Sequence, residues 1–233
     1  MQVDGSAEYR RYGIYVVPEG GFYRAGAAWL GWDSLRGEAA GQPAVDGLPG
    51  DPADLTATPR KYGFHGTIKP PFRLAAGTDA AALDAAARAF CATRAPVEIP
   101  ALEVRRLGGF VAVVPVEPSA ALADLAAATV EALDPFRARP DAAELARRRK
   151  PGLTQRQDAL LQSWGYPYVM EEFRFHLTLT GKLHRDDADR ARDALAAHFA
   201  PLLPAPFRIG SLCLMGEDPE GRFHLAHRYT LSG

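Results

Sequence analysis

The 233-residue chain predicts an α+β fold built by internal duplication, and three observations carry that prediction. One short string occurs twice, as Phe64-His65-Gly66-Thr67-Ile68 and as Phe175-His176-Leu177-Thr178-Leu179. Each copy is followed by the same succession of patterns: a helical stretch, a strand, a Gly-bearing turn and a second strand. The spacing is conserved too, with 44 positions from His65 to Gly109 and 45 from His176 to Gly221. With six His and ten Thr in the chain, one His-x-Thr triplet is expected by chance about 0.3 times, so a single copy would carry little weight. Two copies in matched surroundings carry much more.

Taken in order, Arg11 to Val17 is rich in aromatic and β-branched residues and reads as a first strand, ended by Pro18 to Gly21. Tyr23 to Pro59 is rich in Gly, Pro, Ala and Asp. Apart from a short helix around Trp29 to Leu35, it is expected to be a long loop, either a lid or rim over a site or an unordered insertion. The first His-x-Thr strand follows, then a helix over Asp79 to Phe90, a strand over Val97 to Val104, a turn at Gly108-Gly109 and a strand over Phe110 to Val114. Ser119 to Ala132, Ala142 to Arg149 and Leu153 to Trp164 are three helical segments between the halves. After the second His-x-Thr come a helix over Asp186 to Phe199, a strand over Phe207 to Leu214 and a last strand over Phe223 to His227. The expected organisation is one two-lobed domain: a first lobe over 1–118, a helical insertion over 119–164 and a second lobe over 165–233. Two mainly antiparallel sheets would form a central groove, with helices outside.

Composition bounds the function classes. A hydrophobic share of 47%, a charged share of 24% and a net charge of −1 describe an ordinary globular protein with no global attraction for nucleic-acid backbones, so any phosphate site must be local. No run reaches the ~18 to 20 apolar residues of a membrane span, and Met1 to Ser6 lack the basic-then-apolar order of a secretory signal, so a cytoplasmic location is expected. Cys91 and Cys213 match neither a disulfide framework nor a zinc spacing and read as core residues.

Strand alternation sorts the motif side chains by face. His65 and Thr67 share one face and Phe64, Gly66 and Ile68 the other, and likewise His176 and Thr178 against Phe175, Leu177 and Leu179. The apolar faces pack, which leaves two imidazoles and two hydroxyls presented. A lone histidine of this kind is more often an ordinary hydrogen-bonded residue than a catalyst, and it is the repeat that reverses those odds. The same alternation would put Lys69 beside Thr67 and Arg174 beside His176 as phosphate-neutralising cations, against the ordinary reading of solvated strand ends. Tyr15, Tyr166 and Tyr168 could line a base or sugar pocket or simply belong to the core. The run Arg147-Arg148-Arg149-Lys150 reads first as a solvated helix end and second as a grip on a phosphorylated substrate. His184 and His198 have no supporting pattern. His224 and His227 lie three apart on one strand, face opposite ways and make a poor chelating pair; with no other ligand spacing nearby, no metal or cofactor is expected.

The longer strings Tyr62 to Phe72, Leu107 to Phe110, Trp164 to Val169 and Phe173 to Gly181 make the chain resemble the 2H phosphoesterase superfamily, and within it the DUF1045-type branch associated with bacterial phosphonate metabolism. The resemblance covers the whole chain and matches at all four motif positions. It implies a metal-independent phosphodiesterase acting on a small cyclic phosphodiester, a cyclic sugar phosphate or a 2′,3′-cyclic nucleotide. His65 and His176 would be the acid and base and Thr67 and Thr178 the phosphate ligands. Unperturbed imidazoles titrate near ~6.5, so one neutral and one protonated histidine can serve both roles, and a bell-shaped profile centred near neutrality is expected. RNA-end processing and a non-catalytic phosphate sensor are the alternatives. The expected partner is a small phosphorylated molecule, with nucleic acid only as a cyclic nucleotide or an RNA end and no membrane.

Overall fold

The computed structural model describes residues 9–150 and 152–233; the Met1 to Ser6 segment weighed above as a signal lies outside the described residues. In chain order the elements are β1 (Arg11–Val16), α1 (Gly20–Leu30), β2 (Trp32–Asp33), β3 (Glu38–Ala39), α2 (Pro52–Leu55), α3 (Ala57–Arg60), β4 (Gly66–Phe72), α4 (Ala80–Cys91), β5 (Val97–Ile99), β6 (Leu102–Leu107) and β7 (Phe110–Pro115). Then follow α5 (Ala120–Ala132), α6 (Ala142–Arg149), α7 (Gln155–Trp164), β8 (Leu177–Thr178), α8 (Arg185–Phe199), β9 (Phe207–Ile209), β10 (Ser211–Glu217) and β11 (Phe223–Thr230). The fold is α+β and antiparallel throughout, as the sequence predicts.

The duplication is visible element by element. β4, α4, β5, β6 and β7 recur as β8, α8, β9, β10 and β11. Equivalent strands also pair with each other, β4 antiparallel to β8 and β5 antiparallel to β9, which is the arrangement a two-fold relation between repeats requires. The expected strands over 97–104 and 207–214 are each split, at Pro100 and at Gly210, so that a short first piece leaves the main sheet to make the β5–β9 pair.

The main sheet has the order β11-β10-β1-β4-β8-β7-β6. The two expected sheets are thus joined edge to edge, and between β4 and β8 the join is a single register pair, Gly66 with Leu177. Strands of the two halves interleave: β10–β11 lies beside β1 of the first half, and β6–β7 beside β8 of the second. One face of this sheet is the apolar core, where Ile14, Phe64, Ile68, Val111, Val113, Leu177 and Leu214 pack against Leu83 and Phe90 of α4, Leu122 and Leu125 of α5 and Leu195 and Phe199 of α8. The opposite face carries Tyr15, Val17, Cys213, Met215 and Phe223. Both cysteines are buried, and burial pushes the Cys91 thiol up to about 11 and the Cys213 thiol up to about 12, so they behave as core residues.

Helix starts follow side-chain chemistry. Asp79, Ser119, Asp141 and Thr154 each accept a backbone N–H as N-cap residues of α4, α5, α6 and α7, and Thr154 forms a capping box with Gln157. The expectation of a long loop over Tyr23 to Pro59 is corrected. α1 is a helix of eleven residues starting before Trp29, because Phe22, Tyr23, Gly26, Ala27 and Leu30 recur at helical spacing and are buried. Gly26 lets the helix backbone settle on the Phe64 ring, since a Cβ there would lie 2.1 Å from it. Beyond α1 the segment first meets the outer edge of β11, where the Leu225 N–H donates to the Ser34 carbonyl, and then turns to the core side, where Val45 and Leu48 pack and Arg190 of α8 donates to the Leu48 carbonyl.

Candidate active site

The floor of the site is the junction of β4 and β8. Antiparallel pairing of Gly66 with Leu177 puts His65 opposite Thr178 and Thr67 opposite His176, all four on the face away from the helical core. Each motif's histidine therefore faces the other motif's threonine. Space for this crossing comes from Gly66: the Phe175 ring occupies the volume a Cβ would take, 2.3 Å from its ideal position, so the apolar faces interlock while the polar faces meet. Ala112, opposite Thr178 on β7, and Phe110, whose ring centroid lies 5.6 Å from that of His176, extend the floor on the second side.

Both imidazoles are oriented by the same local device. The Nδ1–H of His65 donates to the Gly63 carbonyl at 2.9 Å and that of His176 to the Arg174 carbonyl at 2.8 Å, in each case the carbonyl two residues upstream. A carbonyl can only accept, so Nδ1 carries the proton and Nε2 presents its lone pair in the neutral ring. The Thr67 hydroxyl donates to His65 Nε2 at 3.0 Å, whereas among the described residues no such bond links His176 and Thr178. Gly63 sits at φ +72°, a left-handed turn that delivers its carbonyl to the ring.

Tyr15 stacks on His65 with centroids 3.8 Å apart and planes 19° apart, and Phe223 and Tyr62 pack behind it. This enclosure disfavours the imidazolium. Burial pushes the His65 pKa down to about 4, the Gly63 carbonyl opposes the shift, and the charge of nearby His176 adds to it. His176 is also lowered by burial, with the Arg174 carbonyl opposing. The expectation of histidines titrating near neutrality is thus moved to the acid side for the unliganded protein.

The structure places the other sequence-derived candidates differently. Lys69 does not share the face of Thr67. The β1–β4 register shifts by one residue between Tyr15–Thr67 and Ile14–Lys69, and this bulge at Ile68 turns Lys69 to the helical side. There its ammonium is 2% exposed, donates to the Val130 carbonyl at 3.0 Å and to Asp134 at 3.3 Å, and burial lowers it to about 8. Lys69 is an internal anchor between β4 and the end of α5. Arg174 lies outside β8, so alternation does not reach it. Its guanidinium is exposed and folds back on the carbonyls of Glu171 and Phe173, and its contribution to the site is its own carbonyl.

Tyr15 is fully buried, so it serves the site by covering His65; its hydroxyl has no partner among the described residues, and burial raises it well above the usual phenol range. Tyr168 is 45% exposed and stands edge-on to Tyr166. In the basic run, Arg148 pairs with Glu144 and lies over the Tyr166 ring, and Arg149 pairs with Asp158. His224 and His227 do face apart, bonding Asp218 at 2.6 Å and approaching Asp84 at 3.7 Å respectively. Among the described residues no three His, Cys, Asp or Glu side chains gather as a metal site, and no helix is long and apolar enough to cross a membrane. Residues the motif did not reveal are Tyr62, Phe110 and Phe223, which wall the histidines. Tyr62 and Phe110 stand at the ends of the longer strings quoted above, whereas Phe223 carries no such signal.

Two curated proteins named ribose 1,5-bisphosphate phosphokinase PhnN are similar, one from Janthinobacterium sp. (strain Marseille) at 40% identity over 93% of this chain, and one from Laribacter hongkongensis (strain HLHK9) at 35% over 91%. The chain spans about half the length of each, 49%. Among solved structures, Escherichia coli LigT complexed with phosphate aligns over 98% of this chain and 100% of its own, with a TM-score of 0.44 and 14% identity. LigT complexed with 3′-AMP aligns over 97% and 100%, with a TM-score of 0.42. The profile of the family described as protein of unknown function DUF1045 matches residues 67–224, more than half of the chain, taking in Thr67, His176 and Thr178, and the chain belongs to that family.

Proposed function

We propose that the chain is a phosphoesterase that hydrolyses a small cyclic phosphodiester to a phosphomonoester by two-histidine acid–base catalysis. The observation that supports this reading is the register at the β4–β8 junction, which brings His65, Thr67, His176 and Thr178 to one face of the sheet with both Nδ1 atoms engaged by backbone carbonyls. In the proposed step a water oxygen bonds to phosphorus while the bond to one ring oxygen breaks on the opposite side. One Nε2 takes the water proton and the other, protonated, gives its proton to the leaving alkoxide. Thr67 and Thr178 donate to the non-bridging oxygens, Thr67 by turning its hydroxyl from His65 to the phosphate. The stronger downward push on His65 favours it as the base, with His176 as the acid. The substrate's negative charge raises the imidazole that must be protonated.

The names of the two curated relatives carry a phosphorylated ribose, which fits a cyclic ribose phosphate as the substrate class. They also name a kinase. This chain contains no G-x-x-x-x-G-K-[ST] phosphate loop, its single Gly-Lys step at Gly181-Lys182 being followed by Leu183, so we place that activity in the half of those proteins the chain does not match. The test is a panel of cyclic phosphodiesters, sugar 1,2-cyclic phosphates and 2′,3′-cyclic nucleotides together, followed by phosphorus NMR. Appearance of a monoester resonance, unaffected by a chelator, is expected. No turnover of any member would refute the reading, and loss of turnover with chelator would refute its metal-independent form.

A further inference from the structure

At the opposite end of β4 from His65, Pro71 and Phe72 form one wall of a cavity of about 270 Å³ whose lining includes Arg11, Arg73, Arg137, Arg147 and Arg148 and a single carboxylate, Glu144. That is just under the ~300 Å³ where pockets for drug-sized ligands begin, and suits a phosphate with a few attached atoms. Five residues of strand separate Thr67 from Phe72, about 16 Å, so the cavity is distinct from the histidine pair.

The arginines are only partly neutralised. Arg11 is paired bidentately with Glu217 at 2.5 and 2.6 Å, and Arg137 with Asp134 at 2.7 and 3.1 Å, which also holds Lys69. Arg148 and Arg73 share Glu144 at 2.8 and 3.4 Å, with Asp141 3.6 Å from Arg73. Six cations, Arg147 included, thus stand against four carboxylates, a surplus of two. Arg137 supplies an independent sign. Its side chain is 9% exposed, and its Nη1 is buried with no hydrogen-bond partner among the described residues, held against Gly165, where a Cβ would lie only 2.8 Å from it. An unmade hydrogen bond on a buried guanidinium is costly, so such groups are rare unless an acceptor arrives. Arginine forks match the oxygen geometry of phosphate, and a surplus of two matches a dianion.

We propose that this cavity binds a phosphate monoester dianion through Arg137 and its neighbours. The separation of about 16 Å along β4 exceeds the spacing of two phosphates on one ribose, so the ligand is a phosphorylated molecule separate from the one at the histidines.

Isothermal titration with ribose 5-phosphate, and with ribose as control, tests the site without relying on hydrolysis. Saturable binding of the phosphate alone is expected, retained in His65→Ala/His176→Ala and weakened at least tenfold by Arg147→Glu, an exposed substitution that leaves the core untouched. Arg137→Met should weaken it as strongly, and if that variant does not fold, Arg147→Glu decides. No binding of ribose 5-phosphate, or binding indifferent to Arg147→Glu, would overturn the proposal. A second measurement compares kcat/KM for a 2′,3′-cyclic nucleotide with and without a 5′-phosphate, a group too short to span the two sites. No advantage that Arg147→Glu removes is expected, and an advantage of tenfold or more that Arg147→Glu removes would overturn the assignment to a separate ligand. If no cyclic phosphate is turned over, the phosphodiesterase reading fails while the titration still decides the cavity.

Discussion

The buried state of His65 makes the stability of this protein dependent on pH in a window that can be worked out. Unfolded, the imidazole titrates near ~6.5; folded, its pKa is about 4. Between those values the unfolded chain binds the extra proton, so the contribution of a neutral His65 is complete above pH 6.5 and is lost progressively as the pH falls toward 4. The whole shift corresponds to about 3 kcal/mol, and at pH 4.5 about 2 to 2.5 kcal/mol of it should be lost. Carboxylates that titrate in the same range add their own dependence, so the comparison must be with His65→Gln, a neutral side chain of similar reach. Urea unfolding at pH 7.5 and pH 4.5 should show the wild type losing about 2 kcal/mol more than the variant between the two conditions. Equal losses would mean that His65 is solvated enough to charge in the folded protein, and the stacked Tyr15 enclosure would then not be controlling its proton.

Four further outcomes are expected. The pH profile of kcat/KM for a cyclic phosphodiester should peak on the acid side of neutrality and decline through pH 7, because both free imidazoles are lowered; a plateau centred at pH 7 or above would contradict the burial argument. Gly66→Ala should destabilise by about 1 to 3 kcal/mol by forcing the Phe175 ring away, measured by thermal or urea unfolding, with Gly41→Ala, where a Cβ meets open space, as the neutral control. Asp134→Ala should cost about 3 to 5 kcal/mol because Lys69 and Arg137 lose their shared carboxylate. Lys69→Met, by contrast, should leave the KM for cyclic substrates unchanged, and a large rise in KM would return Lys69 to the phosphate site.

Much of the architecture could be read from the chain because its signals are local. Asp79, Ser119 and Thr154 mark helix starts by their own capping chemistry, and the repeated Phe-His-x-Thr shows period-two alternation directly. What could not be read depended on contacts distant in sequence. The one-residue bulge at Ile68 arises from β1 pairing and is invisible in the β4 string, yet it moves Lys69 from the expected site to the core. α1 was hidden by its glycines, one of which is there for Phe64, 38 positions later. The arginine cavity draws on β1, β4, α6 and the segment after α5, so no window of sequence contains it. The motif histidines escaped this difficulty, since each is aimed by a carbonyl only two residues away.

Whether two histidines from two repeats act as one acid–base pair is decided by kcat/KM for the best cyclic phosphodiester with His65→Ala, His176→Ala and the double variant. Each single change should lower kcat/KM by at least ~10²-fold with the fold intact by circular dichroism, and the double variant should be little worse than the poorer single, as groups acting as a unit behave. Full activity in either single variant, or costs that simply multiply in the double, would contradict it.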